Sequence, residues 1–392
     1  MLSAAIILAA VSLCIWIVLT FFRGSFWLLR LYDDDIAPHS SLKNWPRVVA
    51  VLPARNEAET ISQTVESLLT QDYGGEFHVV LVDDHSEDNT AVLARRSAEL
   101  CGRGDRVEVL AATPLPPEWT GKLWALNQGI ELAAKYEADY LWFTDADIVH
   151  APDTLSRLVS RAEQHRLELT SLMVILQAKT FPERLLIPPF LYFFLKLYPP
   201  KWSASPESKT AGAAGGCILL RNSALARIGG MAAIRNQVID DCALARAVKS
   251  SGGAIWMGLT RKSASLRSYR SFSEIRDLIA RTAFTQLNYS ALLLLGTVVG
   301  MMLTYLVPVV LSFHREPLVW RLSLAAWVLM TITYLPTIRF YRLSPLWAPF
   351  LPVAAAFYSC ATALSAARFW LGRGGQWKGR SQAPAKAGNG AA

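Results

Sequence analysis

Residues 3–22 and most of residues 288–371 of this chain carry almost no charge, and that distribution limits its possible folds more than any other feature of the sequence. A run of about twenty apolar residues crosses the hydrocarbon core of a bilayer as a helix, because a backbone without water must satisfy its own hydrogen bonds. The sequence therefore predicts an anchor, a globular domain and a helical membrane bundle, in that order. With 52% hydrophobic residues and a mean hydropathy of +0.27 over 392 residues, the chain is too apolar for an ordinary soluble protein of its length. The net charge of +8 comes without a long basic run. Its basic residues flank apolar segments in the positive-inside pattern, which argues for membrane orientation and against nucleic acid as a partner.

Residues 1–23 lack the basic start of a secretory signal and read as an uncleaved anchor. Arg23 and Arg30 follow at once, which places the next domain in the cytoplasm and the protein in the cell (inner) membrane, multi-pass. Within residues 288–371 three spans are predicted, about 289–312, 319–337 and 346–370. With the globular domain inside, three crossings put Arg373, Lys378 and Arg380 of the basic tail, residues 372–392, outside. Either one segment re-enters, or the tail breaks the positive-inside rule. The alanine- and glycine-rich end from Ser381 reads as disordered. Cys14, Cys101, Cys217, Cys242 and Cys360 have neither metal-ligand nor disulfide-framework spacing, which points to a reducing compartment.

After a linker over residues 24–45, residues 46–287 alternate short β-branched runs with helical patterns. That alternation predicts an α/β domain with a doubly wound sheet. Strands are expected at Val48 to Leu52, Val79 to Val82, Val107 to Leu110 and Tyr140 to Thr144, with helices near 57–70, 88–101, 122–135 and 153–165. The segment 181–202 is apolar and aromatic but broken by Pro188, Pro189, Pro199 and Pro200. It reads either as an interfacial helix or acceptor-facing flap, or as a buried core helix.

Open sheets of this kind bind ligands outside the carboxyl ends of their strands. Three of the four strand ends carry acids. Asp145-Ala146-Asp147 follows the strand at Tyr140, and two carboxylates so spaced can meet one hard divalent cation, Mg²⁺ or Mn²⁺, that neutralises a diphosphate. The first strand ends in Pro53-Ala54-Arg55-Asn56-Glu57, and the second in Asp83-Asp84-His85-Ser86-Glu87-Asp88-Asn89-Thr90. Ser86 and Asp88 are residue types that cap helices, and at least one is expected to do so. Neither Gly-x-Gly-x-x-Gly after the first strand nor a Walker A pattern is present, which argues against dinucleotide oxidoreductases and P-loop enzymes.

These three segments together resemble glycosyltransferase family 2, whose GT-A domain, a Rossmann-like doubly wound sheet, pairs such an opening with a "DD.S.D.T" segment and a later DxD. The resemblance assigns Pro53, Ala54, Glu57 and Asp84 to the nucleotide of a nucleotide-sugar donor, with UDP expected. Gly121-Lys122-Leu123-Trp124-Ala125-Leu126-Asn127 is similar to the family's "GK..ALN", which makes Lys122 either a donor-phosphate contact or a solvated surface lysine. Gly215-Gly216-Cys217 resembles a glycine-rich loop near the acceptor, with Gly216 permitting close backbone approach; an ordinary turn before a strand is the alternative. Val238-Ile239-Asp240-Asp241 resembles the "EDxxLA" helix start, Asp240 replacing the glutamate and Asp241 matching the catalytic aspartate.

The family's membrane-bound members carry (Q/R)xxRW before their C-terminal spans. Here Arg281 matches the first position, while Phe284 and Thr285 replace the RW pair. That departure weakens analogy to processive polysaccharide synthases and leaves Arg281, with Arg270, to hold the diphosphate or to anchor the domain to headgroups. The whole arrangement looks like the hopene-associated glycosyltransferases of bacteria, which implies a lipid acceptor and a place in hopanoid biosynthesis. The expectation is an inverting transfer in which Asp145 and Asp147 hold the cation, Asp145 also contacting the donor, and Asp241 takes the acceptor's proton. A processive synthase and a non-catalytic membrane protein of GT-A fold are the alternatives.

Overall fold

The computed structural model describes residues 2–29, 42 and 44–372, together with the backbone of residues 376–377 and 380–381. Most of the linker from residue 30 and the tail beyond 372, including Arg373, Lys378 and the end after Ser381, lie outside the described side chains. The chain divides into two compact units. One, the sheet unit, takes in residues 44–176 and 202–268; the other, the helical unit, takes in residues 2–29, 177–201 and 269–372.

The sheet unit is built on one mixed sheet whose strands are β1 (Val48–Ala54), β2 (Phe77–Asp83), β3 (Val107–Ala111), β4 (Tyr140–Phe143), β5 (Ile148–His150), β6 (Leu169–Ile175), β7 (Ile218–Arg221) and β8 (Ile255–Ser265), in the spatial order β3-β2-β1-β4-β7-β6-β8-β5. β3, β2, β1 and β4 are parallel, as the alternation of strands and helices requires. β7 then runs antiparallel to both β4 and β6, and β5 antiparallel to β8. This second half is where the sheet departs from a simple doubly wound pattern. It gives a GT-A-like mixed sheet.

β1 is buried at every position, which explains why its sequence is apolar without alternation: a central strand has a core on both faces. Val48, Ala50 and Leu52 face one core with Ile61, Val65 and Leu68 of helix Ile61–Leu69. Val49 and Val51 face the other, with Leu123 and Leu126 of helix Gly121–Ala133. That helix approaches closely through Gly129, where a Cβ would fall 2.4 Å from Val51 Cγ1 and 2.9 Å from Val82 Cγ2. Gly129→Ala is therefore expected to destabilise the full chain in detergent by about 1–3 kcal/mol through overpacking, despite alanine's better helix propensity. An unchanged Tm would show that the helix can slide outward without cost.

In the helical unit, four helices are long and apolar enough to cross a membrane: Leu2–Phe21, Ala291–Leu311, Pro317–Phe340 and Pro345–Trp370. They are tied by buried polar contacts that an apolar medium makes persistent. Ser12 Oγ donates to the Leu303 carbonyl at 2.6 Å, and Trp16 Nε1 to the Thr304 carbonyl at 2.7 Å. The ambiguous segment 181–202 forms helix Phe181–Leu197, with Leu186, Ile187, Pro188, Pro189, Leu191 and Tyr192 buried. Most of its length is buried within the helical unit. A capping box starts it, Thr180 accepting from Glu183 N–H at 3.3 Å while Glu183 Oε2 accepts from Thr180 N–H at 2.9 Å. Burial of this face overrides a proline penalty of about 3 kcal/mol.

Candidate active site

Ala54 pairs with Asp83 in the parallel register of β1 and β2, so the loops after these strands leave the same edge of the sheet. β2 and β4 flank β1 on opposite sides, which makes this edge a topological switch point. Pro53 and Ala54 end β1, and Asp84 N–H donates to the Ala54 carbonyl at 2.8 Å. The Asp84 side chain is buried and its Oδ1 lies 3.1 Å from His85 Nδ1. Asn56 and His85 take positive φ, 51° and 55°, which asparagine and histidine tolerate better than most residues.

The second loop staples the first. Asn56 N–H donates to Ser86 Oγ at 3.0 Å, Glu57 N–H to Thr90 Oγ1 at 2.8 Å, and Ala58 N–H to Asp88 Oδ2 at 3.0 Å. Arg55 Nη1 donates to the carbonyl of Asp84 at 2.6 Å, completing the lock. Of the two capping candidates, Asp88 accepts Thr90 N–H at the start of helix Thr90–Leu100, whereas Ser86 serves the neighbouring loop. Burial would raise the Asp88 carboxyl, but hydrogen bonds from Thr90 and Ala58 outweigh it and hold the group below its usual range.

Lys122 leaves the first turn of helix Gly121–Ala133, whose cap Thr120 accepts Leu123 N–H at 3.4 Å. Its ammonium lies 2.9 Å from Asp145 Oδ1 and 3.2 Å from Asp240 Oδ2, with the side chain 18% exposed. It is thus a mostly buried, ion-paired lysine and not a solvated one. Burial would lower it, but Asp145 and then Asp240 outweigh burial and raise it above the ordinary lysine range.

Asp240 and Asp241 open helix Asp240–Ser250. Asp241 Oδ2 accepts Gly215 N–H at 2.9 Å and Oδ1 accepts Cys242 N–H at 2.7 Å. Burial first, and then the Asp240 carboxylate, push Asp241 up to about 6, against the opposing pull of Lys122 and those two N–H groups. A Cβ on Gly215 would sit 3.3 Å from Lys122 Nζ and 3.5 Å from Asp241 Oδ2, so bare backbone fits there best. Asp145, Asp240 and Asp241, with Lys122 and Pro53, line one pocket. Three carboxylates share one ammonium.

Gly216 has a separate part. Its carbonyl accepts from Thr144 Oγ1 at 3.0 Å, and the same hydroxyl meets His150 Nε2 at 2.9 Å. His150 Nδ1 meets Ser263 Oγ at 2.8 Å. Burial drives His150 down to about 3, so the imidazole is neutral and serves as a fixed link between the acidic loop and β8.

Asp147 faces a second cluster. Its Oδ2 accepts from Arg267 Nε at 3.0 Å, and Arg267 Nη2 reaches Glu57 Oε1 at 2.8 Å. Glu57 and Asp147, far apart in sequence, therefore share one guanidinium. Arg267, Asp240 and His150 are the site's additions to the residues selected from sequence. Asp240 was visible beside Asp241; Arg267 and His150 belong to no motif, and only the fold brings them in. Arg281 belongs to the helical unit, exposed in the last turn of helix Phe272–Thr282, and is not among the residues the sheet unit gathers.

Among the described residues, no three Asp, Glu, His or Cys side chains group closely enough to cage a metal ion. The donors at hand, Asp145 and Asp147, are hard carboxylate oxygens. They fit an ion such as Mg²⁺ or Mn²⁺ that takes one or two protein carboxylates and draws its other ligands from water and phosphate. The acidic excess around Lys122 points the same way, since a diphosphate entering this pocket needs added positive charge.

Residues 49–229 match the family model described as Glycosyl transferase family 2. An N-acetylglucosaminyltransferase of Rhizobium leguminosarum bv. phaseoli is 31% identical over 132 residues, 33% of this chain and 29% of that protein. One from Mesorhizobium japonicum is 27% identical over 160 residues, 40% of this chain and 36% of that protein. The chain thus spans about a third of the length of these curated relatives. Among solved structures, mannosyltransferase PcManGT from Pyrobaculum calidifontis, in complex with GDP-Man and Mn²⁺, has a TM-score of 0.58 at 19% identity, covering 93% of this chain and 98% of that one. At that identity the likeness establishes the fold.

Proposed function

We propose that this chain, whose residues 49–229 carry a family 2 glycosyltransferase domain of GT-A fold, is a membrane-bound inverting enzyme that moves a sugar from a nucleotide-sugar donor to a lipid acceptor. The observation that carries this reading is the meeting of Asp145, Asp240 and Asp241 around Lys122 at the carboxyl edge of the central strands, with Asp241 raised to about 6. A carboxylate of that basicity accepts a proton better than an ordinary aspartate and is still ionised at neutral pH.

In this mechanism Asp84 and Glu57 receive the nucleoside, carboxylates being acceptors for base N–H and ribose hydroxyl groups. Lys122 faces the diphosphate and exchanges part of its bonding from Asp145 to phosphate oxygens. Asp145 and Asp147 would hold the divalent cation, which supplies charge compensation for the departing nucleoside diphosphate. Asp241 takes the acceptor hydroxyl's proton as that oxygen bonds to the anomeric carbon and the bond from that carbon to the phosphate oxygen breaks. Gly215 N–H and Cys242 N–H keep the carboxylate aimed while its charge changes. Attack opposite the leaving group inverts the sugar centre. A lipid acceptor is supported by the four apolar helices, which can keep such a substrate in the bilayer, with the sheet unit on the cytoplasmic side where nucleotide sugars are made.

The test is incubation of membranes containing the protein with labelled nucleotide sugars and extracted lipids, hopanoids among them. UDP and GDP donors are both needed, because the resemblance implies UDP and the solved mannosyltransferase holds GDP-Man. Labelled lipid is the expected product, and a long soluble polymer would instead favour a processive synthase. Chelation with EDTA is expected to cut transfer by about a hundredfold or more, and Mn²⁺ or Mg²⁺ to restore it. Full activity in chelator would remove the metal from the scheme.

A further inference from the structure

Two acids with different tasks in the proposed reaction are held by one side chain. Glu57 follows β1 and serves the nucleoside, whereas Asp147 follows β4 and serves the divalent cation. Arg267 joins them, with Nη2 2.8 Å from Glu57 Oε1 and Nε 3.0 Å from Asp147 Oδ2. The two carboxylates are 12% and 14% exposed and the guanidinium 35%, so water screens these charges less than it screens a surface pair.

The backbone fixes the place from which the guanidinium reaches out. Leu266 N–H donates to the Asp147 carbonyl at 2.7 Å, and Ile148 pairs with Ser265 where β5 runs antiparallel to β8. Ser265 Oγ donates to Asp147 Oδ2 at 3.4 Å and accepts Arg267 N–H at 3.2 Å. From the other side, Thr60 Oγ1 and Thr64 Oγ1 donate to the Ala146 carbonyl at 3.2 Å and 2.9 Å, which ties helix Ile61–Leu69 to the acidic loop. Glu57 and Asp147 thus face a gap whose walls are pinned on both sides, and the guanidinium stands in it. A divalent cation arriving at Asp147 meets a charge of its own sign already there.

We infer that Arg267 is a positioning residue that acts as a resident cation: it holds Glu57 and Asp147 together in the donor-free chain and keeps the affinity of Asp147 for a free divalent ion low, so that the ion enters with the nucleoside diphosphate. The inference rests on the reading of Asp147 as a cation ligand. A nucleoside diphosphate brings negative charge and oxygen ligands of its own, and these offset the repulsion that Arg267 exerts on the ion. Arginine suits the task because its planar fork reaches two carboxylates at once and keeps its charge throughout. The pocket is then loaded with its cation only when the leaving group is present to use it.

Mn²⁺ binding to the full chain in detergent is followed by electron paramagnetic resonance of the free ion, first without nucleotide and then with UDP and with GDP, each at saturation. In wild type one of the two nucleotides is expected to tighten Mn²⁺ binding at least about thirtyfold. Arg267→Met should tighten nucleotide-free Mn²⁺ binding about tenfold, because two facing carboxylates are left for the ion, and should shrink the nucleotide effect by a similar factor. Linkage requires the same shrinkage in the effect of Mn²⁺ on nucleotide affinity, which calorimetry reads independently. Arg267→Lys keeps the charge and should stay near wild type without nucleotide. Arg267→Gln keeps an N–H donor for one carboxylate, should tighten Mn²⁺ binding as methionine does, and carries the test if the methionine variant does not fold. Loss of a merely structural prop would weaken binding, so a gain in ion affinity is the distinguishing sign. Equal or weaker nucleotide-free Mn²⁺ binding in both neutral variants would overturn the role of Arg267, as would a wild-type Mn²⁺ affinity that neither nucleotide changes. Asp147→Asn tests the premise separately. Wild-type Mn²⁺ affinity in that variant with nucleotide present would remove Asp147 as a ligand, whereas weakened binding there beside unaltered Arg267 variants would defeat only the resident cation.

Discussion

Asp241→Asn is expected to lower kcat by about 10²–10⁴-fold, the range a positioned general base contributes, with donor binding close to wild type. Asparagine keeps the shape and can accept one of the two hydrogen bonds, from Gly215 or from Cys242, but cannot take a proton. The pH dependence separates this from a binding defect. The base works ionised, so wild-type kcat/KM should climb with pH to about 6, where the buried carboxyl loses its proton, and then level off. Residual activity of the variant should lack that limb. Stability should move the other way. The folded protein holds the Asp241 proton more tightly than the unfolded chain does, so this group's favourable contribution is complete below the ordinary aspartate range and is lost as pH rises through about 6. Asparagine removes that loss, so the Tm of the variant should change less than that of wild type between about pH 5 and pH 8. Wild-type turnover in Asp241→Asn would eliminate Asp241 as the base.

The second large effect is on stability. Lys122→Met withdraws the ammonium that sits 2.9 Å from Asp145 and 3.2 Å from Asp240 and leaves those carboxylates beside Asp241. Removing one partner of a fully buried pair typically costs about 3–5 kcal/mol; Asp145 is 37% exposed, so about 2–4 kcal/mol is the expectation here. The loss should depend on pH. Without the lysine, Asp241 rises further above 6, so the Tm difference from wild type should be largest near pH 8 and shrink toward pH 5, as protonation removes one of the crowded charges. Mn²⁺ should recover more stability in the variant than in wild type, because a cation is what the pocket lacks. Lys122→Arg keeps the charge and should lie between the two. Thermal melts of Lys122→Met that track wild type across this pH range would mean that the carboxylates are better solvated than the pocket geometry implies.

The parallel strands β1, β2 and β4 were legible in the sequence because they are buried on both faces. Val48 to Leu52 and Val79 to Val82 read as unbroken apolar runs for that reason, and each is bounded by the polar residues of a strand end. The second half of the sheet, where β7 runs antiparallel to β4 and β6, β8 parallel to β6 and β5 antiparallel to β8, was not legible. The register of these strands depends on which edge of the sheet remains open after β4, a property of the assembled layer. Helix Phe181–Leu197 was left open by the sequence for a different reason. Pro188 and Pro189 lie inside this helix and argue against it, whereas Pro199 and Pro200 stand beyond its end; burial of Leu186, Ile187, Leu191 and Tyr192 decides for the helix.

At the site, acids were readable and their partners were not. The order of motifs selected Asp84, Asp145, Asp147 and Asp241, since each stands at a strand end or a helix start where local chemistry favours a carboxylate. Arg267 is 210 residues from Glu57 and 120 from Asp147, and nothing near it in sequence announces that it bridges them. Lys122 could equally have been a surface residue.

The amino-acid sequence alone determined that apolar helices flank a sheet, and which carboxylates stand at its strand ends, because hydrophobic periodicity and helix or turn chemistry act over a few residues. Which acid is crowded, which lysine is deprived of water and which arginine joins two distant loops were decided only by the tertiary structure. Burial and Coulomb interaction depend on distance in space, and the chain sets those distances only once its layers have packed.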